Sequence, residues 1–251
     1  MGLQQPKAIL FDLDDTIATW DAVAEQSWLD VCLRFAPRIS GLEAERLYTT
    51  ISAVRTWYMS DKERHRYMRL NLEAYRKEMV GLAFARLGIK APELANELAA
   101  LYGVEREKSA SVLPGAIETL TYFRKSNFRL ALVTNGTSIV QRKKIEKYGL
   151  SPFFDFIFIE EELGFGKPDE RVFLRALEKL NVSPPEVWMV GDDLERDIDG
   201  AKKVGIFGIW VDWRGAGLLE SSPVKPDRVI RAISELGCFH SGVSRNPVRT
   251  D

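Results

Sequence analysis

The sequence predicts an α/β protein built on a doubly wound parallel sheet, with a helical module inserted early in the chain. Three observations carry that expectation. A short apolar run, residues 8–11, ends in the acidic cluster Asp12, Asp14 and Asp15. A long stretch of helical period follows, over residues 20–107. From Pro114 onward, short apolar runs alternate with helix-period segments, as parallel strands joined by crossover helices require.

Composition narrows the function classes. The 251 residues include 35 Lys and Arg against 36 Asp and Glu, a formal net charge of −1. That balance argues against a globally basic nucleic-acid binder and against a chain held open by self-repulsion. The hydrophobic fraction of 45% is ample for a core at this length. No run approaches the ~18 apolar residues of a membrane span, and Gln4, Gln5 and Pro6 lead straight into a strand, unlike a signal peptide. A cytoplasmic protein with no membrane partner is expected. Cys32 and Cys238 offer neither a disulfide framework nor a CxxC zinc pair, which suits a reducing compartment. With His65 and His240 as the only imidazoles, chemistry must rest on carboxylates, hydroxyls and lysine.

The elements follow in order. Residues 8–11 read as a buried strand that delivers carboxylates at its carboxyl end. Ala24, Trp28, Val31, Cys32 and Phe35 keep helical spacing, and so do Ala44, Leu47, Tyr48, Ile51 and Tyr58 after a break at Pro37 and Gly41. Ser60 and Glu63 have capping-box spacing and predict one further helix, with Met68, Leu72, Tyr75, Met79 and Ala83 on its apolar face and Gly88 as its stop. Leu94, Leu98 and Leu101 predict a shorter fourth. Strands are then expected at 130–133, 156–159, 187–190 and 206–211, with helices at 116–125, 138–148, 169–180 and 197–204. A last strand and helix fall within 228–236. Residues 1–19 and 108–236 thus form a Rossmann-like core, 20–107 a helical cap of roughly four helices, and 237–251 a polar C-terminal tail.

Ligands of an open parallel sheet bind beyond the carboxyl ends of its strands, so the residues after each apolar run belong together. They are DLDDT (Asp12 to Thr16), TNG (Thr134 to Gly136), GKPD (Gly166 to Asp169) and GDDLERD (Gly191 to Asp197). One acidic cluster at a strand end is usually a solvated turn. Four such segments in order gather carboxylates, a hydroxyl, an ammonium and backbone N–H groups at one edge.

With these four motifs in this order, the chain resembles the haloacid dehalogenase superfamily over residues 7–236, with the helical insert where that superfamily carries its cap. The resemblance implies a phosphatase. Asp12 is then the nucleophile that forms an aspartyl-phosphate, and Asp14 the general acid and base; an ionised carboxylate needs no activating base at neutral pH. Residues two apart on extended chain point to opposite faces, so a bend at Asp15, Thr16 and Ile17 is expected to bring both acids to the substrate. Asp192, Asp12 and the backbone carbonyl of Asp14 are implied as ligands of magnesium (Mg2+), whose octahedral demand an all-oxygen set suits. Lys167 matches the family's lysine, and the Thr134 hydroxyl with the Asn135 backbone N–H its phosphate cradle. Asp193 and Asp197 are implied as support for the ion or the lysine; each also reads as a helix cap or first-turn acid.

Dehalogenases proper of the superfamily lack an acid at the position of Asp14, because departing halide needs no proton. Its presence here favours phosphate-ester hydrolysis of a small phosphorylated metabolite, with no nucleic-acid partner and the oligomeric state open. Three alternatives stand: a phosphonate hydrolase using Lys62, Lys77 or Lys90, a phosphomutase, and a non-catalytic partner protein. In the cap, Arg64, His65, Arg66, Arg69, Arg76 and Lys77 read either as a cationic rim or as a solvated helix face. Trp20, Trp28, Trp57, Tyr58 and Tyr67 read as a stacking platform or as cap core. Gln141 and Lys144, in TNGTSIVQRKK, resemble the cap-bearing subgroup of small nucleotidases and sugar phosphatases.

Overall fold

Strand β1 (Ala8–Phe11) is buried on both faces, as a continuous apolar run in a parallel sheet should be. The computed structural model describes residues 5–239, so the expected tail lies from His240 onward outside the described residues. Two compact units emerge: Trp20–Ser111, and the chain up to Thr19 together with the chain from Val112 onward.

The second of these units carries a six-stranded sheet. Its strands are β1, β2 (Arg129–Thr134), β3 (Phe156–Ile159), β4 (Val187–Gly191), β5 (Phe207–Val211) and β6 (Arg228–Ile230). All pair in parallel, in the order β3-β2-β1-β4-β5-β6. This is the doubly wound α/β fold, and its order reverses between β1 and β4, which opens a crevice at their carboxyl ends. Side chains alternate between two layers of core. Ile9, Phe11, Leu130, Leu132 and Val190 pack with Leu120 and Phe123 of α6 (Ala116–Lys125). Ala8, Leu10, Ala131, Val133 and Met189 pack with Val172, Phe173 and Leu177 of the helix at Glu170–Leu180. Each fully buried Leu, Ile or Phe contributes about 1.5–3 kcal/mol, so the sheet end that carries the acids is firmly held.

The helical unit holds α1 (Ala24–Phe35), α2 (Ala44–Met59), α3 (Lys62–Leu70), α4 (Leu72–Arg86) and α5 (Pro92–Ser109). Its core is built from Trp28, Val31, Phe35, Leu47, Ile51, Met79 and Leu98. Of the aromatic residues, Trp28 and Tyr58 serve this packing, Trp28 stacking on Tyr102 at 3.5 Å and Tyr58 meeting Tyr75 edge-on at 4.9 Å, while Trp57 and Tyr67 are exposed. Arg64 lies over the Trp57 ring and Lys77 pairs with Glu73 at the surface, in keeping with a solvated helix face.

Several expectations need correction. The helix expected from Ser60 to Gly88 is two helices, because Asn71 leaves the helical region (φ −136°, ψ 46°) and its amide donates to the Tyr67 carbonyl. Ser60 ends α2 with its hydroxyl on the Trp57 carbonyl, and Asp61 instead caps α3 by accepting from the Arg64 N–H. The fourth helix of the expected cap, α5, is long rather than short. Its buried face continues through Tyr102, Gly103 and Arg106, where an aliphatic period is no longer visible. The helix expected at 197–204 begins earlier, as a π-helical turn over Leu194–Asp199 capped by Asp193, and is α-helical only over Gly200–Lys203. Among the described residues no helix is long and apolar enough to cross a membrane.

Candidate active site

The Asp12 N–H donates to the Val190 carbonyl at 2.9 Å, so β1 stays paired with β4 up to the residue that bears the first carboxylate. The chain then turns sharply. Asp15 adopts a left-handed conformation (φ 58°), tolerated by Asp better than by most residues, and its N–H donates to the Ala18 carbonyl. Ile17 and Ala18 both donate to the Leu13 carbonyl. This is the bend expected after Asp14, and it carries the Asp14 side chain to α7 (Ser138–Lys147), where Lys144 Nζ lies 2.7 and 2.9 Å from its two carboxylate oxygens.

Lys167 is buried, with Nζ 2.5 Å from Asp12 Oδ1 and 2.6 Å from Asp197 Oδ1. Its backbone is gripped by the Asn135 side chain, which accepts from the Lys167 N–H at 2.8 Å and donates to the Lys167 carbonyl at 2.7 Å. Asn135 therefore braces the lysine with its amide, a part that the sequence motif does not announce. Gly166 precedes the lysine because a Cβ there would sit 2.6 Å from Asn135 Oδ1 and 2.7 Å from Glu160 Cγ. Thr134, buried at the end of β2, accepts from Gln141 Nε2 at 2.5 Å.

Beyond β4, the backbone carbonyl of Asp192 accepts from Trp210 Nε1 at 2.7 Å. Asp193 and Asp197 part company here. Asp193 accepts from the Arg196 N–H at 2.6 Å and pairs with its guanidinium, so it is a helix cap. Asp197, 1% exposed, turns back to accept from the Asp193 N–H at 3.0 Å while pairing with Lys167. Among the described residues, Asp12, Asp192 and Asp197 each bring a carboxylate oxygen within 4.8 Å of the others.

This crowding sets the electrostatics. Burial pushes the Asp12 carboxyl up to about 7, with Lys167 pulling the other way. Burial, and then repulsion from Asp12, Asp197, Asp15 and Asp193, hold the Asp192 carboxyl well above its usual range. Burial disfavours the Lys167 ammonium, but Asp12 and Asp197 outweigh it and keep its pKa above the ordinary value. Burial likewise opposes the Asp193 charge, and Arg196 overcomes it. The carboxylates of Asp12, Asp192, Asp193 and Asp197 thus share two cations, Lys167 and Arg196. An all-oxygen cluster with that imbalance fits a small divalent cation held by Asp12 and Asp192, with the Asp14 carbonyl as the implied third ligand.

Residues 6–205 match the model of the haloacid dehalogenase-like hydrolases. The chain belongs to that family. A glyceraldehyde 3-phosphate phosphatase of Methanopyrus kandleri is 30% identical over 203 residues, 80% of this chain and 81% of the relative. A phosphoserine phosphatase of Thermus thermophilus is 38% identical over 147 residues, 58% and 57% of the two chains. The structure of the hydrolase YfnB from Bacillus subtilis shares the fold, with a TM-score of 0.71 at 24% identity, covering 95% of this chain and 100% of that one. The present chain is a phosphatase of this family, as its named curated relatives are. Sequence reasoning left Glu160 and Arg196 unassigned. The buried Glu160 accepts from the Gly136 N–H at 3.0 Å and so shapes the TNG turn, and its acidic residue opening EEEL after an apolar run was the available signal.

Proposed function

We propose that this phosphatase hydrolyses a small phosphorylated metabolite in the cytoplasm, with magnesium, through an aspartyl-phosphate formed on Asp12. The observation that carries the proposal is the Asp12 carboxylate, buried at the β1/β4 switch point against Lys167, with a second acid, Asp14, held apart from it on Lys144. An Asp12 oxygen attacks phosphorus as the bond to the ester oxygen breaks, and Asp14 gives that oxygen its proton. Asp14 then takes a proton from water, whose oxygen attacks phosphorus; the bond to Asp12 breaks and phosphate leaves. Lys167 and the Thr134 hydroxyl orient the transferring group, and the Asn135 amide keeps Lys167 in place. Magnesium, when bound by Asp12 and Asp192, supplies the positive charge that lets a phosphate dianion approach several carboxylates.

The relatives named for glyceraldehyde 3-phosphate and phosphoserine support a small phosphomonoester as the substrate class. Asp14 supports ester hydrolysis over dehalogenation, since only an ester oxygen needs its proton. The test is phosphate release from glyceraldehyde 3-phosphate, phosphoserine, nucleoside monophosphates, sugar phosphates and an aryl phosphate, with magnesium and with EDTA. The expected result is a preferred metabolite whose turnover EDTA stops and magnesium restores. Turnover indifferent to EDTA contradicts the metal assignment, and inactivity across the panel contradicts the proposal.

A further inference from the structure

Helix α7 buries Gln141, Lys144 and Ile145. Two of these three are polar, where a helix packed on a sheet normally buries aliphatic side chains. Gln141 is 1% exposed and Lys144 7%. A buried ammonium is costly unless it is paired and hydrogen-bonded, so this face has a partner built for it. That partner is the carboxylate of Asp14, 130 residues earlier in the chain.

We propose that Lys144, with Gln141 beside it, is the positioning residue of Asp14, holding its carboxylate in the orientation in which it exchanges the proton; this rests on the acid and base role given to Asp14 above. Lys144 Nζ bonds Oδ1 at 2.7 Å and Oδ2 at 2.9 Å, and Gln141 Nε2 lies 3.1 Å from Oδ2, the farthest of the three acceptors around its two hydrogens. Each carboxylate oxygen offers two acceptor sites. Lys144 takes one site on each oxygen and leaves one open on each, so it fixes the orientation of the carboxylate while a free lone pair remains for the proton exchanged with the ester oxygen and with water. The same amide nitrogen of Gln141 also reaches Thr134 Oγ1 at 2.5 Å and the Asn135 carbonyl at 2.8 Å. One side chain therefore ties the proton-exchanging carboxylate to the residues that hold the phosphate, and sets the distance between them. A displacement of about 1 Å at such a point costs on the order of 100-fold in rate.

The readout is the leaving-group dependence of kcat/KM, which reports the step in which the ester oxygen departs. Glycerol phosphate leaves as an alkoxide that needs a proton; 4-nitrophenyl phosphate leaves as a stable phenolate that does not. Lys144→Met is expected to lower the alkyl-to-aryl ratio of kcat/KM about 10- to 100-fold. Lys144→Arg, which keeps the charge and the donors, is expected to restore most of it. Circular dichroism and thermal melting establish folding, and Lys144→Gln carries the same expectation if the methionine variant does not fold. Asp14→Asn, run in parallel, must show the same loss. A ratio that stays at the wild-type value in folded Lys144 variants, while Asp14→Asn lowers it, overturns the role of Lys144. A ratio unchanged in Asp14→Asn overturns instead the reading of Asp14 on which the proposal rests.

Discussion

Replacing Gly191 by alanine puts the packing of the acid cluster directly to the test. A Cβ at this position would lie 2.7 Å from Asp197 Cβ and in hard overlap with the Asp197 carboxylate. Asp197 has nowhere to go: it is buried, pairs with Lys167 at 2.6 Å, and accepts from the Asp193 N–H at 3.0 Å. Overpacking of this kind costs about 1–3 kcal/mol, and loss of the hydrogen bond adds ~1 kcal/mol. For a protein of this size each kcal/mol lowers the melting temperature by about 2–4 °C, so the sheet unit should melt about 4–16 °C lower. Gly81, in α4, is the control. Nothing lies within 4 Å of a Cβ there, so alanine should raise stability by about 0.5–1 kcal/mol through helix propensity alone. Differential scanning calorimetry on both variants separates the transitions of the two units. A Gly191→Ala protein that melts and turns over like the parent, or a Gly81→Ala protein that falls as far, refutes the reasoning.

In the metal-free protein the Asp12 carboxyl, raised to about 7, contributes stability that is complete below its ordinary value of 3.8 and is lost as pH rises through 7. Asp12→Asn should therefore melt above wild type in EDTA at pH 8, with the gain vanishing as pH falls toward 4; a pH-independent difference contradicts this. The Cys32 thiol, buried in α1, is pushed up to about 12, so in a Cys238→Ser background it should resist iodoacetamide at pH 8 until the protein is unfolded. Rapid labelling of the native protein refutes its burial. Asp193→Ala removes a helix cap and the partner of Arg196, and urea denaturation should register a loss of about 1–2 kcal/mol, with turnover falling far less than in Asp12→Asn. Equal losses of turnover would give Asp193 a direct part in the chemistry.

The sheet was legible because β1 and β4 are unbroken apolar runs that end in acids, a pattern that needs no long-range information to interpret. Helix α9 (Glu170–Leu180), preceded in chain order by the short α8 (Glu160–Leu163), matched its expected span because Asp169 marks its start by capping. The break at Asn71 was hidden because Met68 and Leu72 keep the helical period across it, while the decisive event is one amide bonding one carbonyl. The motif acids were readable as a set, yet not their partners. Gln141 and Lys144 stood out in TNGTSIVQRKK only by resemblance to a subgroup, without a partner, and only the crossover from β2 through α7 brings that face onto Asp14. Beyond the backbone part expected of Asn135, its side chain holds Lys167, a contact across 32 residues that no local pattern encodes.

The measurement that tests the central claim most directly is rapid acid quench of the magnesium-loaded enzyme during turnover, followed by mass analysis of the peptide that carries Asp12. A phosphoryl group on Asp12, formed and lost at rates that match turnover and missing in Asp12→Asn, is the predicted result. Steady phosphate release with no phosphoryl group on that peptide contradicts the nucleophile assignment.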